Sequence, residues 1–198
     1  MLRIITQLED AKAELKRICD RTHDEQVTEK ESTVREIIDA VRQKGDEALV
    51  YYTEKFDRQT LTPETLRVDG ARLDAAYQQV SQGLLKAIRK ACANIEAFHR
   101  QRVPTSWVTF EENGVVLGKR YTPVEKAGIY VPGGRASYPS TVMMNAIPAR
   151  VAGVSRIVMM TPVGEKGTLS PAVLVAAQEA GISEIYQVGG AQAIAALA

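Results

Sequence analysis

Cysteine and histidine are scarce in this chain. Its 198 residues hold two of each: Cys19 and Cys92, His23 and His99. Two cysteines cannot build a disulfide scaffold, and such low usage fits a reducing compartment. A zinc site needs three or four converging ligands. These four residues show no ligand spacing, and neither cysteine has a base nearby in sequence to make it a nucleophile. An excess of one charge is also lacking. Lys plus Arg number 25 against 24 Asp plus Glu, a net charge of +1, so nothing draws the chain to nucleic acid or to an anionic membrane. No apolar run approaches the roughly 18 residues that would cross a bilayer. The opening MLRIITQLEDAKAELKR carries acids where a signal peptide is apolar, and no asparagine begins an N-x-S/T sequon. These absences lead us to expect a cytoplasmic protein with no membrane or nucleic-acid partner.

Hydrophobic residues make up 45% and charged residues 25%, which is ordinary globular composition and excludes disorder and collagen. The length suits one large domain or two small ones and allows about 70% of the unfolded surface to be buried. We expect an α/β chain in two regions. Residues 1–125 are helix-rich and carry a β-hairpin; residues 126–198 form an incomplete Rossmann-like parallel sheet of βαβ units.

In the first region, Leu8, Ala11, Leu15, Ile18 and Cys19 share one face of a helix over 8–20. Val34, Ile37, Ile38 and Val41 do the same over 28–44, with Thr28 and Glu31 as a capping box and Gly45 as the stop. Asp46 is placed to cap a short helix through Leu49 and Tyr52. A long polar-apolar pattern covers 71–102 and ends before Pro104, with Cys92 as a core position. The charges on these helices read as solvated faces. Residues 107–121 then alternate around Asn113-Gly114, which predicts a hairpin with a type I′ turn.

The second region repeats. GIYVPGG (128–134), RIVMMTP (156–162) and EIYQVGG (184–190) align without gaps, and Ile129, Ile157 and Ile185 each fall 28 positions after the last. The two later strands share a lead-in, Ala152-Gly153-Val154-Ser155 and Ala180-Gly181-Ile182-Ser183. Each lead-in follows a helical stretch, 140–152 or 170–180, so Gly153 and Gly181 sit where a helix takes its left-handed C′ residue. Ser170-Pro171 reads as a cap followed by an N1 proline. Pro148 removes a donor inside the first of these helices and predicts a kink. The spacing is that of βαβ units with right-handed crossovers. Only three strands are visible, however, where a doubly wound sheet usually has five or six. The final AQAIAALA has almost no polar face, which suits a buried helix of a larger protein.

Two strands run into Gly-Gly pairs before a helix, Gly133-Gly134 and Gly189-Gly190. Open α/β sheets bind ligands beyond the carboxyl ends of their strands, and glycine lets a phosphate approach helix N–H groups. Neither loop is a G-x-G-x-x-G fingerprint, and tight turns alone would also explain the glycines. Tyr130, just before one loop, and Gln192, just after the other, are placed to face one crevice. A half-buried strand tyrosine and a helix-capping amide are the plainer alternatives.

The run EKAGIYVPGGRASYPSTVMMNAIPARVAGVSRIVMMTP and the later EIYQVGGAQAIAALA closely resemble histidinol dehydrogenase. IRKACANIEAFHRQ and RTHDEQVTEKESTVREIIDAVRQKGDEAL resemble that family's first-domain helices. The resemblance covers the whole chain and implies the N-terminal half of a protein about twice as long. It implies a cytoplasmic, zinc-dependent homodimer that oxidises L-histidinol through L-histidinal to L-histidine in histidine biosynthesis, reducing two NAD+. It places Tyr130 and Gln192 on two NAD-contacting positions. A third contact, the zinc ligands, the proton-moving Glu-His pair and the substrate-binding residues would lie beyond Ala198, in a C-terminal half. The expectation is therefore a chain inactive alone, with no catalytic residue and no metal ligand of its own. A non-catalytic nucleotide-binding or interaction module derived from that fold is the alternative.

Overall fold

The 28-residue repeat becomes three parallel strands, β3 (Lys126–Tyr130), β4 (Arg156–Met160) and β5 (Glu184–Tyr186), in the order β3-β4-β5. The structure is a computed structural model that describes residues 4–19, 25–133, 137–164 and 167–198. Pairing is offset from the sequence alignment by two residues. Ile129 lies opposite Met159, which lies opposite Ile185, while Ile157 pairs with Ala127. A shift of two preserves the face on which each side chain falls. Ile129, Met159 and Ile185 therefore enter one core and Tyr130, Met160 and Tyr186 the other.

Helices cover both faces. α6 (Pro139–Val151) follows β3 and α7 (Pro171–Glu179) follows β4. Both share the first core with α4 (Gly70–Gln78) and α5 (Gln82–Arg100). The second core is built by α2 (Glu25–Lys44), α3 (Asp46–Asp57) and α8 (Gly190–Leu197). The ranges 1–125 and 126–198 thus contribute to both cores. α8 runs back under β3: a Cβ on Gly128 would lie 2.7 Å from the Leu197 side chain. One side of α8 stays uncovered, with Ile194 half exposed.

The twin lead-ins make twin turns. Gly153 (φ 92) and Gly181 (φ 88) are both left-handed. After α6, Val154 N–H donates to Ala149 O and Gly153 N–H to Arg150 O; after α7, Ile182 N–H donates to Ala177 O and Gly181 N–H to Gln178 O. This is the Schellman pattern, made twice. Pro171 opens α7 after Ser170, whose hydroxyl meets Ser137 Oγ at 2.8 Å and makes no cap bond. α6 continues through Pro148 as one helix.

Local readings change in four places. α2 begins at Glu25, so Thr28 lies inside it and is no cap. Gly45 (φ 55) stops α2 as expected but is also the N-cap of α3, so Asp46 is the first residue of α3 and not its cap. The pattern over 71–102 divides into α4 and α5 because Asp69 and Ser81 each accept a backbone N–H, from Arg72 and Leu84. The hairpin forms as β1 (Trp107–Phe110) against β2 (Val116–Lys119), but its turn is not type I′. Among non-glycine described residues only Arg58 has positive φ, so Asn113 cannot take a I′ position. Gly114 N–H donates to Glu111 O, and Glu111 N–H to Val115 O, giving a three-residue loop with Gly114 at φ 82.

A 3-10 turn, Pro63–Thr65, leads into a ribbon beside β5. Val68 N–H donates to Ile185 O and Gln187 N–H to Leu66 O, around an antiparallel bridge between Arg67 and Tyr186. α1 (Leu8–Cys19) has the expected amphipathic sequence yet buries no residue.

Candidate functional site

At the carboxyl ends of the strands the two glycine loops meet at Pro162, which follows β4. A Cβ on Gly133 would lie 2.6 Å from Pro162 O, and one on Gly189 would lie 2.6 Å from Pro162 Cβ. Only hydrogen side chains allow both approaches. Gly134 lies outside the described residues, as does His23. The structure does bring Tyr130 to the other loop: Gly190 N–H donates to Tyr130 Oη at 3.3 Å. This bond uses one of the free N–H groups of α8 and fixes the ring over its N-terminus.

Gln192 lies in the first turn of α8 and is fully buried. Neither its Oε1 nor its Nε2 has a hydrogen-bond partner among the described residues. A buried amide in this state costs about 1–3 kcal/mol, so it is not a helix-capping amide. Gly190 has φ 65, and a Cβ there would lie 2.5 Å from Gln192 Oε1. The carboxamide therefore turns back toward the glycine loop.

One further group reaches this site and a second lies a turn behind it on α3; neither was foreseen. Asp57, the last residue of α3, places Oδ2 3.1 Å from the Cβ position of Gly189. That oxygen is buried and has no hydrogen-bond partner among the described residues, and burial pushes the carboxyl above the usual aspartate range. Thr53, one turn earlier, is fully buried with an unpaired hydroxyl. Their spacing of four residues put both on one helix face, but polar residues there read like any solvated stripe.

A cavity of about 340 Å³ lies along the second-core face of the sheet, lined in part by Lys126, Gly128, Arg156, Met160, Tyr186 and Leu197. Its Arg156 already pairs with Glu184. Elsewhere Cys92 is buried in the first core, and burial raises its thiol. No group of three or more His, Cys, Asp or Glu among the described residues is arranged to hold a metal, and no described helix is long and apolar enough to cross a membrane.

The sequence model of the histidinol dehydrogenase family matches residues 20–198. The chain belongs to the histidinol dehydrogenase family. Histidinol dehydrogenase 2 of Nostoc sp. is 69% identical over 198 residues, which are 100% of this chain and 46% of that protein. Histidinol dehydrogenase of Synechococcus sp. is 67% identical with the same coverage. The crystal structure of histidinol dehydrogenase from Elizabethkingia anophelis superposes with a TM-score of 0.79 at 39% identity, covering 84% of this chain and 38% of that one. The chain spans about half the length of the curated histidinol dehydrogenases it matches.

Proposed function

We propose that this chain supplies part of the NAD site of a histidinol dehydrogenase, the enzyme that takes L-histidinol through L-histidinal to L-histidine. The observation that carries the reading is the buried, doubly unpaired carboxamide of Gln192 beside Tyr130, at the carboxyl end of a parallel sheet. NAD+ would accept hydride there when bound. Gln192 would offer it one donor and one acceptor, and Tyr130 would hold the loop through Gly190. Gly133 and Gly189 keep side chains out of the crevice; we assign Gly134 to the same loop by its place in the sequence.

Zinc does not fit the described residues, which hold no ligand set, so no step of the reaction is routed through a metal on this chain. In this reading the histidinol-binding and proton-moving groups come from a C-terminal half, and the working enzyme is a cytoplasmic homodimer. The chain by itself should bind NAD+ weakly and turn over no histidinol. The test pairs NADH production, with histidinol and zinc, against ligand-observed NMR of NAD+ on the chain and on Tyr130→Ala and Gln192→Ala. Binding weakened by both substitutions, without turnover, is expected. Zinc-dependent turnover by the 198-residue chain, or NAD+ binding indifferent to both substitutions, would overturn the reading.

A further inference from the structure

We propose that Asp57, beside Gly189, is the acceptor for a ribose hydroxyl of the bound nucleotide, seconded by Gln192. This rests on the nucleotide reading above and states which part of the nucleotide meets α8.

Two groups unpaired among the described residues gather at the start of α8. Asp57 Oδ2 lies 3.1 Å from the Cβ position of Gly189, which Pro162 also crowds, and Gln192 Oε1 lies 2.5 Å from that of Gly190. Thr53 lies one turn behind Asp57 with its hydroxyl unpaired. Each is costly as it stands, since a buried polar atom without a partner forfeits its hydration. The arrangement therefore suits a ligand that brings hydrogen-bonding groups of its own.

The sign of Asp57 selects the chemistry. A helix N-terminus alone would attract a phosphate. Here a carboxylate already stands at that position and would repel a pyrophosphate oxygen. A hydroxyl is favoured instead, because it donates to a carboxylate in a short, charge-assisted bond. A ribose diol presents two hydroxyls side by side. One can donate to Asp57, and the other can both donate to and accept from the Gln192 carboxamide. Such a donor also offsets the burial penalty that raises the Asp57 carboxyl.

A dinucleotide has two riboses, and the experiment separates them. Dissociation constants of the full chain are measured by ligand-observed NMR for NAD+, for NAD+ lacking the 2′-hydroxyl on the adenosine ribose, and for NAD+ lacking it on the nicotinamide ribose. The series is repeated on Asp57→Ala and on the milder Asp57→Asn. We expect one analogue to bind the wild-type chain about tenfold more weakly than NAD+, the loss of one hydrogen bond to a charged group. That analogue identifies the ribose. In Asp57→Ala the gap should shrink to within about twofold, and Asp57→Asn should lie between. Should Asp57→Ala fail to fold, the Asp57→Asn series and the wild-type analogues decide the matter. Equal binding of all three ligands to the wild type, or an undiminished gap in the variants, would refute the role of Asp57 while leaving the NAD site standing. No binding of any of the three would remove the nucleotide reading and this proposal with it.

Discussion

A glutamine with neither amide atom satisfied is expensive, and Gln192 should show it. Gln192→Met keeps the volume and removes the unpaired groups. We expect it to stabilise the chain by about 1 kcal/mol in urea unfolding while abolishing the NAD+ signal in NMR. A loss of stability would mean that the carboxamide has a partner in solution. Gly189 makes the opposite case. A Cβ there would come within 2.6 Å of Pro162 and 3.1 Å of Asp57 Oδ2. Gly189→Ala should therefore cost about 1–3 kcal/mol, read in the same unfolding experiment. At this scale the places of Tyr130 and Gln192 beside the two glycine loops were legible, because each stands next to a repeated strand. Thr53 and Asp57 stayed hidden because α3 carries them among Glu54, Lys55 and Arg58. Nothing in a sequence separates a carboxylate aimed at a neighbouring loop from one aimed at water.

Elements differ in how much they are tied down. Glu179 at the end of α7 accepts from Arg89 of α5 and Tyr77 of α4, so one carboxylate joins three helices. The Arg89 hydrogen bond holds Glu179 below the usual glutamate range, against an opposing effect of burial. A carboxyl lowered on folding stabilises the fold above its unfolded value. That contribution is lost as pH falls through the depressed folded value. Glu179→Gln should thus destabilise the chain by about 1 kcal/mol at pH 7, and the difference from wild type should fade below pH ~4. A difference that persisted unchanged in acid would show that the pairing is not the cause. α1 is the contrasting case. With no residue buried, removing residues 1–19 should leave the melting temperature within about 2 °C in a thermal scan. Its apolar positions at helical spacing marked the helix correctly, but periodicity says which side could be buried and not whether anything covers it. The break between α4 and α5 escaped for a related reason. Ser81 keeps the polar side of the pattern intact, and only its hydroxyl, accepting from Leu84 N–H, reveals a new start. The parallel strands were the clearest elements, since glycine turns and apolar runs recur together there.

Across the whole molecule, buried and exposed apolar surface are unevenly placed. The hairpin exposes both of its faces, with Phe110 at 80% and Val116 at 57% on one and Leu117 at 51% on the other. A patch of this kind favours association. We expect concentration-dependent light scattering from the isolated chain, reduced by the double change Phe110→Ser and Val116→Thr without loss of helical circular dichroism. The layered α/β plan was readable from the period of the strands, but the sharing of both cores by the two regions was not. It depends on α4 and α5 packing against α7, contacts for which no local pattern exists. The ribbon beside β5 has a temporal side. Gln187 donates its side-chain amide to Thr65 O across 122 residues of chain. During synthesis, then, the turn at Pro63–Thr65 leaves the ribosome about 6–25 s before its partner strand. Until β5 arrives, Leu66 and Val68 have no sheet to join, and the helices made first must wait, unsealed, for the strand that closes them.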